Sequence, residues 1–216
     1  MKKPIILFDL DGTLIDSTEA IVLSFYDTFE NFSLEKPKRE DIVKNIGHTL
    51  EDMFISLDVE DGLIQQCVSE YKKNYRKRSL LMTSLLPGAK EAIELAYSFA
   101  RLGIVTTKTG KYSKEILEHL GVMRYFEVLI GREDVFHPKP HKEPIEKALH
   151  YMNTSTLNVW MIGDTVVDML CAESANVQAL GVLSGYASKK ELSSYADTIK
   201  ENALEAVKYI LQNYTK

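Results

Sequence analysis

The chain has 216 residues, 45% hydrophobic and 26% charged, which suits a soluble globular protein with one sizeable core and a smaller companion. Lys plus Arg number 26 against 31 Asp plus Glu, and the net charge of -5 argues against nucleic acid as a partner. No stretch approaches the ~20 apolar residues of a membrane span, and the apolar run Ile5 to Phe8 is too short for a signal peptide, so a cytoplasmic protein without membrane contact is expected.

The first predicted element is a buried strand over Ile5 to Phe8, and it runs straight into two carboxylates, Asp9 and Asp11. About seventy residues then pass before the Pro87-Gly88 turn, too many for a crossover loop. Within them Ile21, Phe25, Tyr26 and Phe29 form a helical stripe, and Leu63 to Lys77 has helical period, with no strand between. Residues 16–82 are therefore expected to be a separate helical domain at the carboxyl end of the first strand, with 1–15 and 83–216 forming the core. Beyond the turn, Ala89, Ile93, Ala96 and Tyr97 share a helix face, and Gly103 to Thr106 reads as a strand. Ile116, Leu117 and Leu120 mark the next helix. Further strands are expected over Val128 to Ile130, Val159 to Ile162, where Trp160 reads as core, and Gln178 to Val182. Short apolar strands alternating with helices predict a doubly wound, Rossmann-like α/β core around a parallel sheet.

Ligands of such sheets bind beyond the carboxyl ends of the strands. Those positions hold Asp9, Asp11, Thr106 and Asp164, and Lys139 lies in the loop HPKPHKEP after the strand Val128 to Ile130. Taken singly, each has a plainer reading. Asp-x-Asp-Gly-Thr also fits a turn or a calcium loop, Thr106 and Asp164 fit helix caps, and Lys139 fits a solvated lysine. Together they suggest a metal-phosphate site: crowded carboxylates either share protons or take a cation, and Mg²⁺ favours one or two of them plus phosphate oxygens. An aspartate there can attack phosphorus, and a carboxyl two residues along can serve the leaving group. Thr106 and Lys139 are placed to hold the phosphoryl oxygens.

The segments DLDGTLID at 9–16, GIVT at 103–106, the lysine of KP at 139 and GDTVVD at 163–168 resemble the four motifs of the haloacid dehalogenase superfamily. The resemblance covers the whole chain, with the helical insertion in the place of that superfamily's cap. It implies Asp9 as nucleophile and Asp11 as general acid/base, with Thr106 and Lys139 on the phosphoryl group. It also implies Mg²⁺ on Asp9, the Asp11 carbonyl and Asp164, with Asp168 as a supporting carboxylate one helical turn on. The presence of Asp11 favours phosphoryl transfer over carbon-halogen cleavage, and Gly12-Thr13 resembles phosphatases more than sugar phosphomutases. Three positions depart from the pattern: Thr107 where Asn is frequent, Lys142 where Pro is frequent, and Asn176 at a helix end where Gly is usual.

The stretch NIGHTLEDMF resembles a cap loop that enters the active site in phosphoglycolate-phosphatase-like members. Gly47, His48 or Thr49 is expected at the substrate or in a plain interhelical turn, and Thr107 and Lys108 join the substrate-binding set. In the basic run YKKNYRKRS, Lys72 and Arg76 share a face, which reads as a solvated helix or an anion contact. Asp16 is expected to cap the first insert helix with Ser17. His119, His137, His141 and His150 show no metal spacing, and Cys67 and Cys171 read as packing residues.

The expected activity is hydrolysis of a small phosphomonoester metabolite, phosphoglycolate-phosphatase-like, through an aspartyl-phosphate. A mutase, a pyrophosphatase or nucleotidase, and a silent phosphate-binding protein are the alternatives. A monomer or weak homodimer is expected.

Overall fold

The structure is a computed structural model and describes residues 3–154, 158–196 and 198–214. In chain order the elements are β1 (Ile5–Phe8), β2 (Ile15–Asp16), α1 (Thr18–Asn31), α2 (Arg39–Val43), α3 (Leu50–Ser56), α4 (Asp61–Arg78) and β3 (Ser84–Leu85). There follow α5 (Ala89–Phe99), β4 (Arg101–Val105), α6 (Gly110–His119), β5 (Val128–Ile130), α7 (Glu143–Tyr151), β6 (Val159–Gly163) and α8 (Val166–Ser174). The chain closes with β7 (Gln178–Val182), α9 (Lys189–Leu192), β8 (Thr198–Lys200) and α10 (Ala203–Tyr214).

The main sheet has six parallel strands in the order β5-β4-β1-β6-β7-β8, so β1 lies inside it, between β4 and β6. Every residue of β1 is buried because alternate side chains serve both covered faces: Ile6 and Phe8 join one apolar cluster, Ile5 and Leu7 the other. The strand order reverses at β1, which puts the end of β1 at the crevice where such sheets hold ligands.

Four helices, α1 to α4, occupy the interval between β2 and β3. Their apolar stripes meet in an aromatic nucleus in which the Phe25 ring lies 4.8 Å from both Phe54 and Tyr71. That nucleus is continuous with the sheet's own cluster, so insert and sheet share one core.

Two short strands contradict the expectation of no strand between β1 and the Pro87-Gly88 turn; both flank the insert expected over 16–82. β2 and β3 pair antiparallel, Ile15 with Leu85 and Asp16 with Ser84, and pin the two crossings between sheet and insert together. Two residues are too few to show a period of two, which is why pattern reading misses them. β8 was missed for a similar reason, since its three residues are only partly buried. Trp160 is half-buried, its ring edge-on to Tyr209 at 6.1 Å. Asn176 adopts φ 54 just past α8, as a left-handed helix stop requires. Cys67 and Cys171 are buried free thiols. Among the described residues no helix is long and apolar enough to cross a membrane.

Candidate active site

The end of β1 delivers Asp9, which is anchored where its backbone amide donates to the Ile162 carbonyl of β6 at 2.9 Å. Three residues on, Gly12 takes φ 80, and a Cβ there would lie 2.4 Å from Asp164 Oδ2, so the turn of this motif admits only glycine. The turn brings Thr13 Oγ1 to donate to Asp164 Oδ1 at 2.7 Å. Asp164 therefore does not cap α8, contrary to the plainer reading of that residue. The N-cap is Thr165, whose amide and hydroxyl both donate to Asp168 Oδ2, at 3.0 and 2.6 Å.

Lys139 is no solvated loop lysine. Its side chain is 1% exposed, and Nζ donates to Asp9 Oδ1 at 2.7 Å, Asp168 Oδ1 at 2.5 Å and the Val105 carbonyl at 3.1 Å. Burial alone disfavours a charged ammonium, but Asp168 and Asp9 outweigh it and hold Lys139 firmly protonated. Asp168, fixed by Thr165 on one oxygen, thus holds Lys139 with the other.

Carboxylate oxygens of Asp9, Asp164 and Asp168 lie within 4.8 Å of one another. Burial pushes the Asp9 carboxyl up to about 7, with Lys139 working against it and Asp168 adding to it. Asp164 is raised well above the usual carboxylate range by burial, then by Asp9 and Asp168. One lysine does not neutralise three buried carboxylates, so the cluster has the character of a cation site. Asp168 is tied to the Lys139 ammonium, whereas Asp164 accepts from the neutral Thr13 hydroxyl and Tyr186 amide; Asp9 and Asp164 are hard oxygen donors of the kind that suits a divalent cation.

The Asp11 carboxylate stands outside this cluster and faces the insert. Oδ1 accepts a hydrogen bond from Ser17 Oγ, and Oδ2 pairs with Lys108 Nζ at 2.9 Å. Only the main-chain carbonyl of Asp11 is left for a metal. Ser17 accordingly does not cap α1 with its side chain; Asp16 alone does so, accepting from the Thr18 amide at 3.0 Å. Thr106 lies just past β4, and its hydroxyl accepts from the Lys108 amide at 3.2 Å.

Beyond Asp11 a chamber of about 50 Å³, on the order of four water molecules, lies between sheet and insert. Gly47, His48, Thr107 and Lys108 line it, as does Lys72 from the basic run; Arg76 is not among its walls. Thr107 Oγ1 donates to the Gly47 carbonyl at 2.9 Å and so fastens the insert loop to the core. Gly47 has φ 106, and a Cβ there would sit 2.8 Å from Thr165 Cγ2, so the loop seats against the α8 N-cap. Thr49 is occupied as the α3 N-cap, accepting from the Asp52 amide at 3.1 Å. The other basic residues of α4 are largely paired, Arg78 with Asp27 and Lys73 with Glu70, as a surface helix would have them.

A family model described as haloacid dehalogenase-like hydrolase matches residues 6–182. The chain belongs to the haloacid dehalogenase-like hydrolases. Among relatives, the pyrophosphatase PpaX of Halalkalibacterium halodurans is 34% identical, with 86% of this chain and 85% of that protein covered. The probable phosphatase IndB of Dickeya dadantii is 32% identical over 89% of this chain and 86% of that one. A haloacid dehalogenase-like family hydrolase from Streptococcus pneumoniae superposes with a TM-score of 0.86 at 28% identity, covering 96% of this chain and 98% of its own. This haloacid dehalogenase-like hydrolase is a phosphatase-type enzyme, with the Rossmann-like fold expected.

Three site residues of this hydrolase escape sequence reasoning. Tyr186, in the loop after β7, gives its amide to Asp164 Oδ2 at 3.0 Å and sets its hydroxyl 3.1 Å from Thr18 Oγ1 of the insert. A backbone donor leaves no residue-type signal. Tyr75, fully buried on α4, lies under Lys108 with Nζ 4.5 Å from its ring centre. Arg132 follows the end of β5, lines the chamber, and has a buried Nε with no partner. Its place just past a strand end is the signal that would have found it.

Proposed function

We propose that the enzyme is a Mg²⁺-dependent phosphatase that hydrolyses a small anionic phosphate compound through an aspartyl-phosphate on Asp9. The observation that carries this reading is the division of the rim: Asp9 buried in the cation cluster, and Asp11 turned away toward the chamber. Asp9, Asp164 and the Asp11 carbonyl would hold the ion, which when bound neutralises phosphoryl oxygens and the buried carboxylates.

Asp9 attacks phosphorus, and the bond to the leaving oxygen breaks as Asp11 gives that oxygen a proton. Asp11 then takes a proton from water, which attacks the phosphorus and releases inorganic phosphate with Asp9 restored. Lys139 favours the ionised form of Asp9 and holds it in register, and with Thr106 it balances the charge on the phosphoryl oxygens. The closed insert excludes water that is not needed.

The leaving group occupies the chamber, whose small volume and the Lys72 and Arg132 cations, beside Glu51 and the Lys108–Asp11 pair, favour a few heavy atoms with negative charge. Phosphoglycolate fits that description. Pyrophosphate fits it equally and has the support of the PpaX relative. Sugar phosphates and nucleotides are disfavoured by size, which sets the mutase and nucleotidase alternatives behind.

Phosphate release from pyrophosphate, 2-phosphoglycolate, glucose 1-phosphate and a nucleoside monophosphate, with Mg²⁺ and with EDTA, tests this. One of the first two should be the best substrate, and EDTA should abolish its turnover. A sugar phosphate or nucleotide in first place, or turnover indifferent to EDTA, contradicts the reading.

A further inference from the structure

The loop between β5 and α7 carries Lys139 inward, and on its outer side it gathers His137, His141 and Glu143. One imidazole nitrogen from each histidine and one carboxylate oxygen of Glu143 lie within 4.8 Å of one another. The two rings stand 4.7 Å apart, centre to centre. Both histidines are exposed, so nothing blocks the approach of an ion. From these positions we infer a second metal site, a His₂Glu clip that takes a borderline transition-metal ion such as Zn²⁺.

Three features support it beyond proximity. The donor set differs in kind from the oxygen cluster around Asp9: two imidazoles and one carboxylate suit Zn²⁺ and its neighbours, whereas Mg²⁺ prefers oxygen alone. Water would complete the coordination on the open side.

The ligands are also held before any ion arrives. Glu143 accepts from the Phe136 and His137 amides at 2.9 Å each and from His137 Nδ1 at 2.9 Å. The His141 carbonyl accepts from Cys171 Sγ at 3.1 Å, and the Pro140 carbonyl accepts from Ser174 Oγ at 3.1 Å, so α8 fixes the backbone beneath the second histidine. His141 Nδ1 accepts from the Glu143 amide at 3.1 Å, a hydrogen bond that an ion on that nitrogen would replace.

Finally, the neighbouring cation does not compete: Lys142 Nζ is paired with Glu146 at 2.9 Å, one turn along α7. The Glu143 carboxyl is pushed down to about 2, first by the Phe136 and His137 amides, so it is an anionic donor throughout the neutral range. Because Lys139 lies between the two histidines in sequence, a bound ion would brace the loop that positions it.

The test is a calorimetric titration of the full chain with Zn²⁺ in excess Mg²⁺, which keeps the Asp9 cluster occupied, on the wild type and on His137→Asn/His141→Asn. The wild type should bind one equivalent, and the double variant should bind at least about 100-fold more weakly, since both nitrogen ligands are gone. Neither histidine contacts Asp9, Asp11, Thr106, Lys139 or Asp164, so phosphatase activity without Zn²⁺ should be unchanged in the variant. Ring ¹⁵N shifts in the wild type on adding Zn²⁺ give a readout independent of the variant's folding; those of His137 and His141 should move. Equal binding by both proteins, no binding by the wild type, or ring shifts confined to other histidines would overturn the proposal.

Discussion

Lys139 gives hydrogen bonds to Asp9, Asp168 and the Val105 carbonyl, and every one of these partners is buried. Removing it strands two carboxylates in a dry rim, and stranding a buried charge costs about 3–5 kcal/mol. Lys139→Met should therefore lower stability by that order as well as abolish turnover. Lys139→Arg should fail to restore activity, because a planar fork does not reproduce a compact ammonium among three acceptors. Chemical denaturation with a phosphate-release assay checks both. Asp9 also makes a prediction about pH. Its carboxyl stands at about 7 in the folded chain, above the unfolded value of 3.8, so the folded state binds the proton more tightly. That contribution to stability is present in full below about pH 4 and is lost as pH rises toward 7. In EDTA, the gain in thermal midpoint of Asp9→Asn over wild type should grow across that interval. A difference independent of pH would contradict the charge balance described for the rim.

At the scale of elements, the insert loop Asn45 to Thr49 is fastened to the core by the side-chain bond from Thr107 and by the fit of Gly47 against Thr165. Thr107→Val removes the bond at a cost of about 0.5–1.5 kcal/mol. Gly47→Ala forces a Cβ to 2.8 Å from a methyl at φ 106 and should lower kcat/KM about tenfold or more while moving the thermal midpoint little. Arg132→Met should raise KM for anionic substrates and leave kcat closer to wild type, since Arg132 lines the chamber away from Asp9. Steady-state kinetics separates these outcomes. The same scale shows where the sequence was legible. Long apolar strands announced themselves, and Asp9, Asp11 and Asp164 were readable because strand ends in this fold hold chemistry, whereas Asp168, inside α8, came only from the family resemblance. Lys139 was readable as a residue, not as a buried bridge between two aspartates. Thr107 was read as a substrate contact, but its hydroxyl is spent on the Gly47 carbonyl. Tyr186 was invisible because what it contributes to Asp164 is an amide. The histidines of the Lys139 loop show no metal spacing along the chain, yet the turn through Pro138 and Pro140 folds them together with Glu143.

At the scale of the molecule, the insert and the sheet share one apolar cluster that runs from Phe8 through Phe25 and Phe54 to Tyr71. Phe54 is fully buried, with ring contacts to Phe25, Phe29 and Tyr71. Phe54→Ala should cost about 3–5 kcal/mol, and the chain should still melt in one transition rather than losing the insert first. Calorimetry distinguishes the two. The topology was largely readable, because parallel strands with both faces covered leave continuous apolar runs. Chamber size was not, since it depends on how insert and sheet pack together; of its lining, Gly47, His48, Thr107 and Lys108 were readable and Tyr75 and Arg132 were not.

The central claim is that the phosphoryl group passes through Asp9. Acid quenching during turnover of the best substrate, followed by peptide mass spectrometry, tests it most directly. The account predicts one phosphoryl group on the peptide containing Asp9, acid-stable and lost at alkaline pH, and none in Asp9→Asn, which should also be inactive. A phosphoryl group on another residue, or an active Asp9→Asn enzyme, would contradict it.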